Sequence, residues 1–76
     1  MKKYNVMNTM DVGNNTAVII DGTGELFSKG AQILSDSGSR YSVVSVGMLN
    51  GESFGRRAKN ATIIVRGKFS SQAIYI

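Results

Sequence analysis

Apolar residues in this chain occur in short runs separated by clusters of Gly, Asn, Ser and Asp, a spacing typical of small all-β domains. Proline is absent and glycine occurs nine times, which favours tight turns between the runs. No stretch keeps apolar residues at the helical spacing i, i+3, i+4 and i+7, so amphipathic helices are disfavoured. The sequence therefore predicts strands joined by short turns along its whole length.

The apolar runs divide the chain into six main strands. Their predicted ranges are 3–10, 16–21, 31–35, 40–48, 60–66 and 73–76, with a short strand or bend at 25–27. Six short antiparallel strands are predicted to form a small barrel, closed or partly open, because closure removes unpaired sheet edges that would pair with other chains. Gly30 follows Lys29 and precedes an apolar strand, so we expect it to adopt a positive φ.

The predicted core consists of the β-branched positions in the best-alternating runs. These positions are Val6, Val18, Ile20, Ile33, Val44, Val46, Ile63 and Val65. The methionines, which are Met1, Met7, Met10 and Met48, are predicted to fill gaps in that core. Because the chain has 76 residues and no linker or internal repeat, residues 1–76 are predicted to form a single domain.

Several classes of activity lack the residues that they need. The chain has no cysteine and no histidine, which excludes disulfides, thiolate chemistry and imidazole-based catalysis. Its five carboxylates lie in predicted turns or at strand ends, where such groups usually accept local backbone hydrogen bonds. Gly22-Thr23-Gly24 is predicted to be a turn, because a phosphate cradle opens onto a helix and a strand-like run follows here. We therefore expect a non-enzymatic protein with no catalytic residue, metal site or cofactor.

Neither a membrane span nor a secretion signal is indicated. The longest apolar run, from Ala17 to Ile20, falls far short of the ~18 residues of a transmembrane helix. The segment after Lys2 and Lys3 alternates apolar residues with asparagines and lacks the continuous apolar core of a signal peptide. The sequence predicts a cytoplasmic protein without membrane contact.

Positive charge is concentrated in the C-terminal third. After Glu52 the chain carries five basic residues and no acidic one, whereas the preceding part holds four basic and five acidic residues. This asymmetry indicates an anionic partner, RNA being the first candidate. In the longest break between strands, Phe54 stands beside Arg56 and Arg57, which combines a ring for base stacking with guanidinium groups for phosphates. The predicted partner contacts are Phe54, Arg56, Arg57, Lys59, Arg66 and Lys68.

The same residues have a purely structural interpretation. In that interpretation Phe54 folds back over the barrel end while the two neighbouring arginines stay solvated. A basic residue at the end of a strand also serves solubility in many proteins. At the level of the sequence both interpretations stay open.

A series of motifs runs along the chain in a characteristic order. Tyr4-Asn5-Val6 is an aromatic-x-apolar opening, and the stretch from Gly13 to Gly22 places a glycine turn before an apolar strand. A leucine-to-glycine step from Leu26 to Gly30, a strand ending in methionine at Val43 to Met48, and an Ala-x-Asn segment ending in Arg66-Gly67 follow. Together they resemble the β-barrel second domain of translational GTPases, as found in elongation factor Tu, elongation factor G and the bacterial initiation factor.

The resemblance covers roughly Tyr4 to Ile76 and implies a barrel that contacts RNA or a ribonucleoprotein. Asn15 and Lys59 stand where the family has glycines, at positions that bear in the family on the pocket for the aminoacyl end of tRNA. No Gly-x-x-x-x-Gly-Lys-Ser/Thr loop is present, so the chain would be a stand-alone version of that domain.

Two functional hypotheses follow from these patterns. The leading one is a non-enzymatic binding module that contacts RNA or a ribonucleoprotein through the basic loop and the end of the fifth strand. The alternative is a protein-interaction or assembly module, for example from a mobile element, that oligomerises through exposed strand edges and has no RNA affinity. In the alternative, a protein partner or a second copy of the chain takes the place of RNA.

Overall fold

The computed structural model describes residues 1–22, 27–48 and 60–76. Six strands and no helix form in these parts of the chain. The strands are β1 Lys3–Val12, β2 Asn15–Ile20, β3 Gln32–Ser35, β4 Arg40–Met48, β5 Ala61–Arg66 and β6 Ala73–Tyr75. The predicted all-β class is confirmed, and each strand lies close to its predicted range. Of the predicted short strand or bend, residues 25 and 26 lie outside the described residues, and Phe27 is not part of a strand.

The strands form a closed antiparallel barrel in the order β1-β2-β5-β4-β3-β6, as the closed version of the prediction requires. The two longest strands, β1 and β4, each pair with one neighbour at their beginning and with the other along the rest of their length. β1 pairs with β6 at Lys3–Asn5 and with β2 from Val6 onward, while β4 pairs with β3 at Arg40–Ser42 and with β5 at Val43–Met48. The two long strands therefore connect the side of the barrel formed by β3 and β6 to the side formed by β2 and β5.

A β-bulge lies in each long strand where it changes partner. In β1 the bulge falls at Met7, between Val6 and Asn8, and in β4 it falls at Val44, between Val43 and Ser45. An extra residue of this kind bends its strand and increases the local twist, which a six-stranded sheet needs in order to close on itself.

The bulge in β4 corrects one prediction about the core. Strict alternation predicted Val44 and Val46 on the inner face, with Val43 on the outer one. In the structure Val43 is only 2% exposed, whereas Val44 is half-buried and has no partner in the ladder. Because the extra residue shifts the alternation by one, Val43 and Val46 both face the core, and the prediction for Val44 was wrong.

The remaining core predictions are confirmed, and aromatic pairs complete the core at both ends. Val18, Ile20, Ile33, Ile63 and Val65 are buried, while Val6 and Val46 are half-buried and pack against them. Tyr4 contacts Phe27 edge-on, with ring centroids 5.3 Å apart, at the end of the barrel where β1 begins. At the opposite end Tyr41 contacts Phe69, with ring centroids 4.9 Å apart.

The course of β1 defines a proximal and a distal end of the barrel. The proximal end is where β1 begins and where β2 and β4 finish. The distal end carries the β1–β2 turn, the β3–β4 turn and the connection from β5 to β6. At the distal end Gly13 and Asn14 form a two-residue hairpin loop, and Gly13 has the positive φ that such loops favour, 61°. At the proximal end Gly30 has a φ of 81°, which confirms the expectation for this residue.

Two threonine hydroxyls in neighbouring strands differ in their surroundings and give a test of the barrel. The Thr16 hydroxyl donates a 2.6 Å hydrogen bond to the Gly67 carbonyl oxygen, whereas the buried Thr62 hydroxyl has no partner among the described residues. We expect Thr62→Val to raise the free energy of unfolding by about 1 kcal/mol, because it removes an unpaired buried polar group. Thr16→Val should lower it by about 1–2 kcal/mol, since the carbonyl loses its donor. Urea denaturation followed by circular dichroism measures both, and shifts in the same direction would contradict these environments.

Candidate functional site

The distal end of the barrel places two of the predicted contact residues together. Arg66 is the last residue of β5 and Lys68 follows two positions later, and both side chains are exposed. Gly67 between them is tied to the β1–β2 hairpin, because its N–H donates to the Asn14 carbonyl at 3.1 Å and its own carbonyl accepts from Thr16. The backbone that carries the two cations is thus anchored to the barrel.

The other predicted contacts, Phe54, Arg56, Arg57 and Lys59, lie outside the described residues. The chain leaves β4 at Met48 and is described again from Asn60, and both residues lie at the proximal end. Arg66 is at the other end of β5, and a six-residue strand spans about 20 Å. The structure therefore brings Arg66 and Lys68 together, while their union with the loop residues in one site stays a prediction.

The charge at the distal end is positive but mixed. Arg40 begins β4 there and is exposed, as are Asp11 near the end of β1 and Asp36 in the β3–β4 turn. The Asp36 carboxylate accepts a 3.1 Å hydrogen bond from the backbone N–H of Gln72, so this acid helps to fix the start of β6. Among the described residues, the distal end thus presents three cations against two carboxylates.

Serine hydroxyls connect the β3–β4 turn to the connection between β5 and β6. The Ser37 hydroxyl lies 2.9 Å from that of Ser35 and 3.2 Å from that of Ser71, and the Ser39 N–H donates to the Ser35 hydroxyl. Ser35 and Ser71 are buried. These bonds hold the segment that leads from Phe69 into β6 against the turn, and they account for the hydroxyls structurally.

A second surface, which sequence reasoning missed, is the part of β1 from Met7 to Val12. Met7 and Met10 are each 57% exposed and Val12 is 44% exposed. Because Met1 is also 89% exposed, the prediction that Met1, Met7 and Met10 fill core gaps was wrong, and the side chain of Met48 lies outside the description. Met10 faces outward beside Ala17 of β2, and the strand on the other side of β1 ends early, because β6 has only three residues and pairs with β1 only at Lys3–Asn5. Beyond that point β1 has β2 on one side and, among the described residues, no strand on the other. The shortness of the last apolar run was the sequence signal for this edge.

A groove runs beside this part of β1. It has a volume of about 260 Å³ and lies between residues 6–9 of β1 and residues 69–72 of the connection into β6. Its lining is formed by Val6, Met7, Asn8, Thr9, Phe69, Ser70, Ser71 and Gln72. The groove marks where the connection separates from β1 and leaves the strand edge accessible.

Two further observations concern metals and membranes. Within residues 1–22, 27–48 and 60–76, no group of three or more His, Cys, Asp or Glu side chains is arranged to hold a metal ion. In the same residues no helix has the length and apolar character required to cross a membrane.

Comparison with known proteins found no protein-family model, no curated protein and no solved structure that matches this chain. The likeness to the second domain of translational GTPases therefore stays a prediction that rests on the sequence motifs.

Proposed function

We propose that this barrel is a non-enzymatic binding module that contacts RNA, alone or within a ribonucleoprotein. The observation that carries the proposal is the exposed pair Arg66 and Lys68 at the distal end, in a chain whose C-terminal third has no acidic residue after Glu52. A guanidinium group offers forked donors to phosphate oxygens, and an ammonium group adds a mobile point charge. Arg40 at the same end extends the cationic surface.

The proposed mode of contact is electrostatic and largely independent of RNA sequence. Each phosphate that a cation neutralises releases counterions, so the affinity should fall steeply with salt. Phe54, with Arg56, Arg57 and Lys59, is proposed to add base stacking and further phosphate contacts. The resemblance to the barrel domain of translational GTPases supports the same class of partner.

The double variant Arg66→Glu/Lys68→Glu tests the proposal. We expect its affinity for single-stranded RNA and tRNA to fall at least about tenfold for every sequence, and the slope of log K against log salt to flatten by about two. Fluorescence polarisation between ~50 and ~200 mM salt measures both quantities. The melting temperature should barely change, because both side chains are exposed.

The matched control is Lys3→Glu/Lys29→Glu, which changes the net charge equally but places the new carboxylates at the proximal end. It should retain most of the affinity, whereas an equal loss would show that net charge alone attracts RNA. Arg56→Glu/Arg57→Glu, tested in parallel, should also flatten the salt slope by about two if the loop residues contact phosphates. Absence of binding by the unaltered protein at ~50 mM salt would overturn the proposal.

A second candidate function is protein assembly without RNA affinity, and a different observation favours it. The part of β1 from Met7 to Val12 has no strand on one side among the described residues, and it exposes the side chains of Met7, Met10 and Val12. Exposed strand edges and clustered apolar side chains are features of protein contact surfaces. Light scattering distinguishes the candidates, because a stable oligomer that ignores RNA supports assembly and a monomer that binds RNA supports the first.

A further inference from the structure

Among the described residues, the edge of β1 from Met7 to Val12, called the β1 edge below, has no strand paired with it on the side opposite β2. The Val6 N–H donates across to the Gln72 carbonyl at 2.9 Å, and among the described residues this is the last backbone hydrogen bond between β1 and the segment before β6. Further along, the Thr9 N–H donates to the side chain of the preceding Asn8 at 2.8 Å instead of to a strand. Thr9 therefore directs its backbone groups away from β2.

The direction of the backbone N–H and C=O groups in the remaining residues of this edge follows from alternation along the strand. Val12 and Asn15 close the two-residue hairpin loop, so Val12 and Met10 direct their N–H and C=O groups toward β2. Asp11, like Thr9, then directs its groups outward. The β1 edge thus presents two outward-facing residues, Thr9 and Asp11, to a further strand, and the Thr9 N–H would exchange its bond to the Asn8 side chain for one to that strand.

The exposed apolar side chains of the described residues gather at this same edge. Apart from the terminal residues Met1 and Ile76, the large apolar side chains that are strongly exposed are Met7, Met10 and Val12. In natural sheets, a lysine, a proline or a bulge at an exposed edge commonly prevents the edge from pairing with another chain. The β1 edge has neither lysine nor proline, its bulge lies at its beginning, and its one charged residue is Asp11.

We propose that the β1 edges of two copies of this chain pair with each other, antiparallel and about a twofold axis, with Met10 opposite Met10. This register follows from the direction of the backbone groups, because only outward-facing residues can form hydrogen bonds across the new interface. It places Thr9 of each copy opposite Asp11 of the other, so all the outward groups of both residues find partners. The inference rests on the second candidate function and names its partner.

Neighbouring registers are less favourable for identifiable reasons. A shift by one residue would pair outward-facing with inward-facing backbone groups and break the ladder. A shift by two in one direction places Asp11 opposite Asp11, and like charges directly opposite each other are destabilising. A shift by two in the other direction places Asp11 opposite the bulged residue Met7, where the spacing of the ladder is irregular.

The side chains of the Met10-centred register are complementary on both faces. On the outer face Met10 lies beside Ala17 of β2, which in turn pairs with Ile64 of β5, so the apolar strip continues from one barrel into the next. On the inner face the Asp11 carboxylate of one copy meets the Thr9 hydroxyl of the other, which can donate to it. Because the contact is isologous, it closes as a dimer and leaves no β1 edge free to recruit a further copy.

Cysteine cross-linking tests the pairing and its register, since the chain has no cysteine of its own. Opposite residues of a pair without mutual hydrogen bonds have Cβ atoms roughly 4.5–5.5 Å apart, near the range that a disulfide spans. The Met10→Cys protein is expected to form a covalent dimer rapidly under mild oxidation. The matched control Val12→Cys, also exposed and on the same face, should cross-link slowly alone and rapidly when mixed with Asn8→Cys.

Charge variants test the same contact without a covalent bond. Met10→Lys and Met10→Glu should each be monomeric by sedimentation velocity, and an equal mixture of the two should recover the dimer, because opposite charges then face each other. Ile76→Lys, an exposed apolar residue away from the edge, should leave the dimer intact. Circular dichroism confirms that the variants are folded.

The outcomes separate this inference from the function on which it rests. A dimer that survives Met10→Lys, or that cross-links equally through Met10→Cys and Val12→Cys, would overturn the pairing or its register while assembly itself stands. A monomer at every accessible concentration, with no cross-linking through Met10→Cys, would overturn both the pairing and self-assembly as a function.

Discussion

The Ile63→Ala variant is expected to lose about 2–4 kcal/mol of its free energy of unfolding. Ile63 is fully buried and lies in the middle of β5, opposite Val18 of β2 on one side and Val46 of β4 on the other. Truncation removes a large apolar side chain and leaves a cavity that a closed barrel can fill only in part. A domain of 76 residues has a total stability of roughly 4–11 kcal/mol, so the change would consume a large share of it.

Ile64→Ala is the matched control, because the same side chain is removed one residue further along the same strand. Ile64 is half-buried and faces outward between Ala17 and Ser45. Its truncation should cost clearly less, about 1 kcal/mol, because less apolar surface returns to water and no closed cavity forms. Denaturation in urea followed by far-UV circular dichroism measures both variants. Equal losses would mean that the inner and outer faces of β5 are wrongly assigned.

The features that could be predicted from the sequence are those that depend on local pattern. β2 and β5 were placed within a residue because β-branched residues fill them and glycine or asparagine bounds them. Gly30 was expected to have a positive φ because it stands between a lysine and an apolar strand, and it does. The closed barrel followed from the number and shortness of the strands, since so few strands can bury their apolar faces economically only by closing.

The features that could not be predicted depend on which strands become neighbours. The bulge has no characteristic residue type here. The run from Arg40 to Met48 therefore did not indicate that the alternation of inward and outward side chains would shift at Val44. The open β1 edge arises because β6, which lies between β1 and β3, is too short to cover the whole of β1. Strict alternation and a closed topology therefore concealed the surface on which Met7 and Met10 are exposed.

For the candidate site, too, the sequence predicted the local features but not those that depend on how the strands are arranged. Arg66 and Lys68 were predicted as accessible cations from their place at a strand end, and both are exposed. Their position at the end opposite to Met48 and Asn60 follows from the direction of β5, which charge counting along the chain does not consider. The predicted contacts Phe54, Arg56, Arg57 and Lys59 lie outside the described residues, so the charge-reversal experiments test them directly.

Deletion of Val44 is expected to lower the free energy of unfolding by about 3 kcal/mol or more. Without the extra residue, the period-two alternation of β4 cannot direct both Val43 and Val46 to the core. Either Val43, now 2% exposed, turns outward together with Tyr41, or Val46 does. Each buried valine contributes about 1.5–3 kcal/mol through burial, and the strand also loses the bend at which it changes partner from β3 to β5.

Val44→Thr separates the bulge from the side chain that occupies it. The substitution keeps a β-branched residue at a half-buried position outside the ladder, so the free energy of unfolding should change by less than about 1 kcal/mol. Because the residue count of β4 is then unchanged, Val43 and Val46 keep their places in the core. A protein without Val44 that unfolds cooperatively at the same urea concentration as the original would show that β4 can close the barrel without its bulge. A large loss in Val44→Thr would instead mean that the valine side chain, and not the extra residue, stabilises this corner of the sheet.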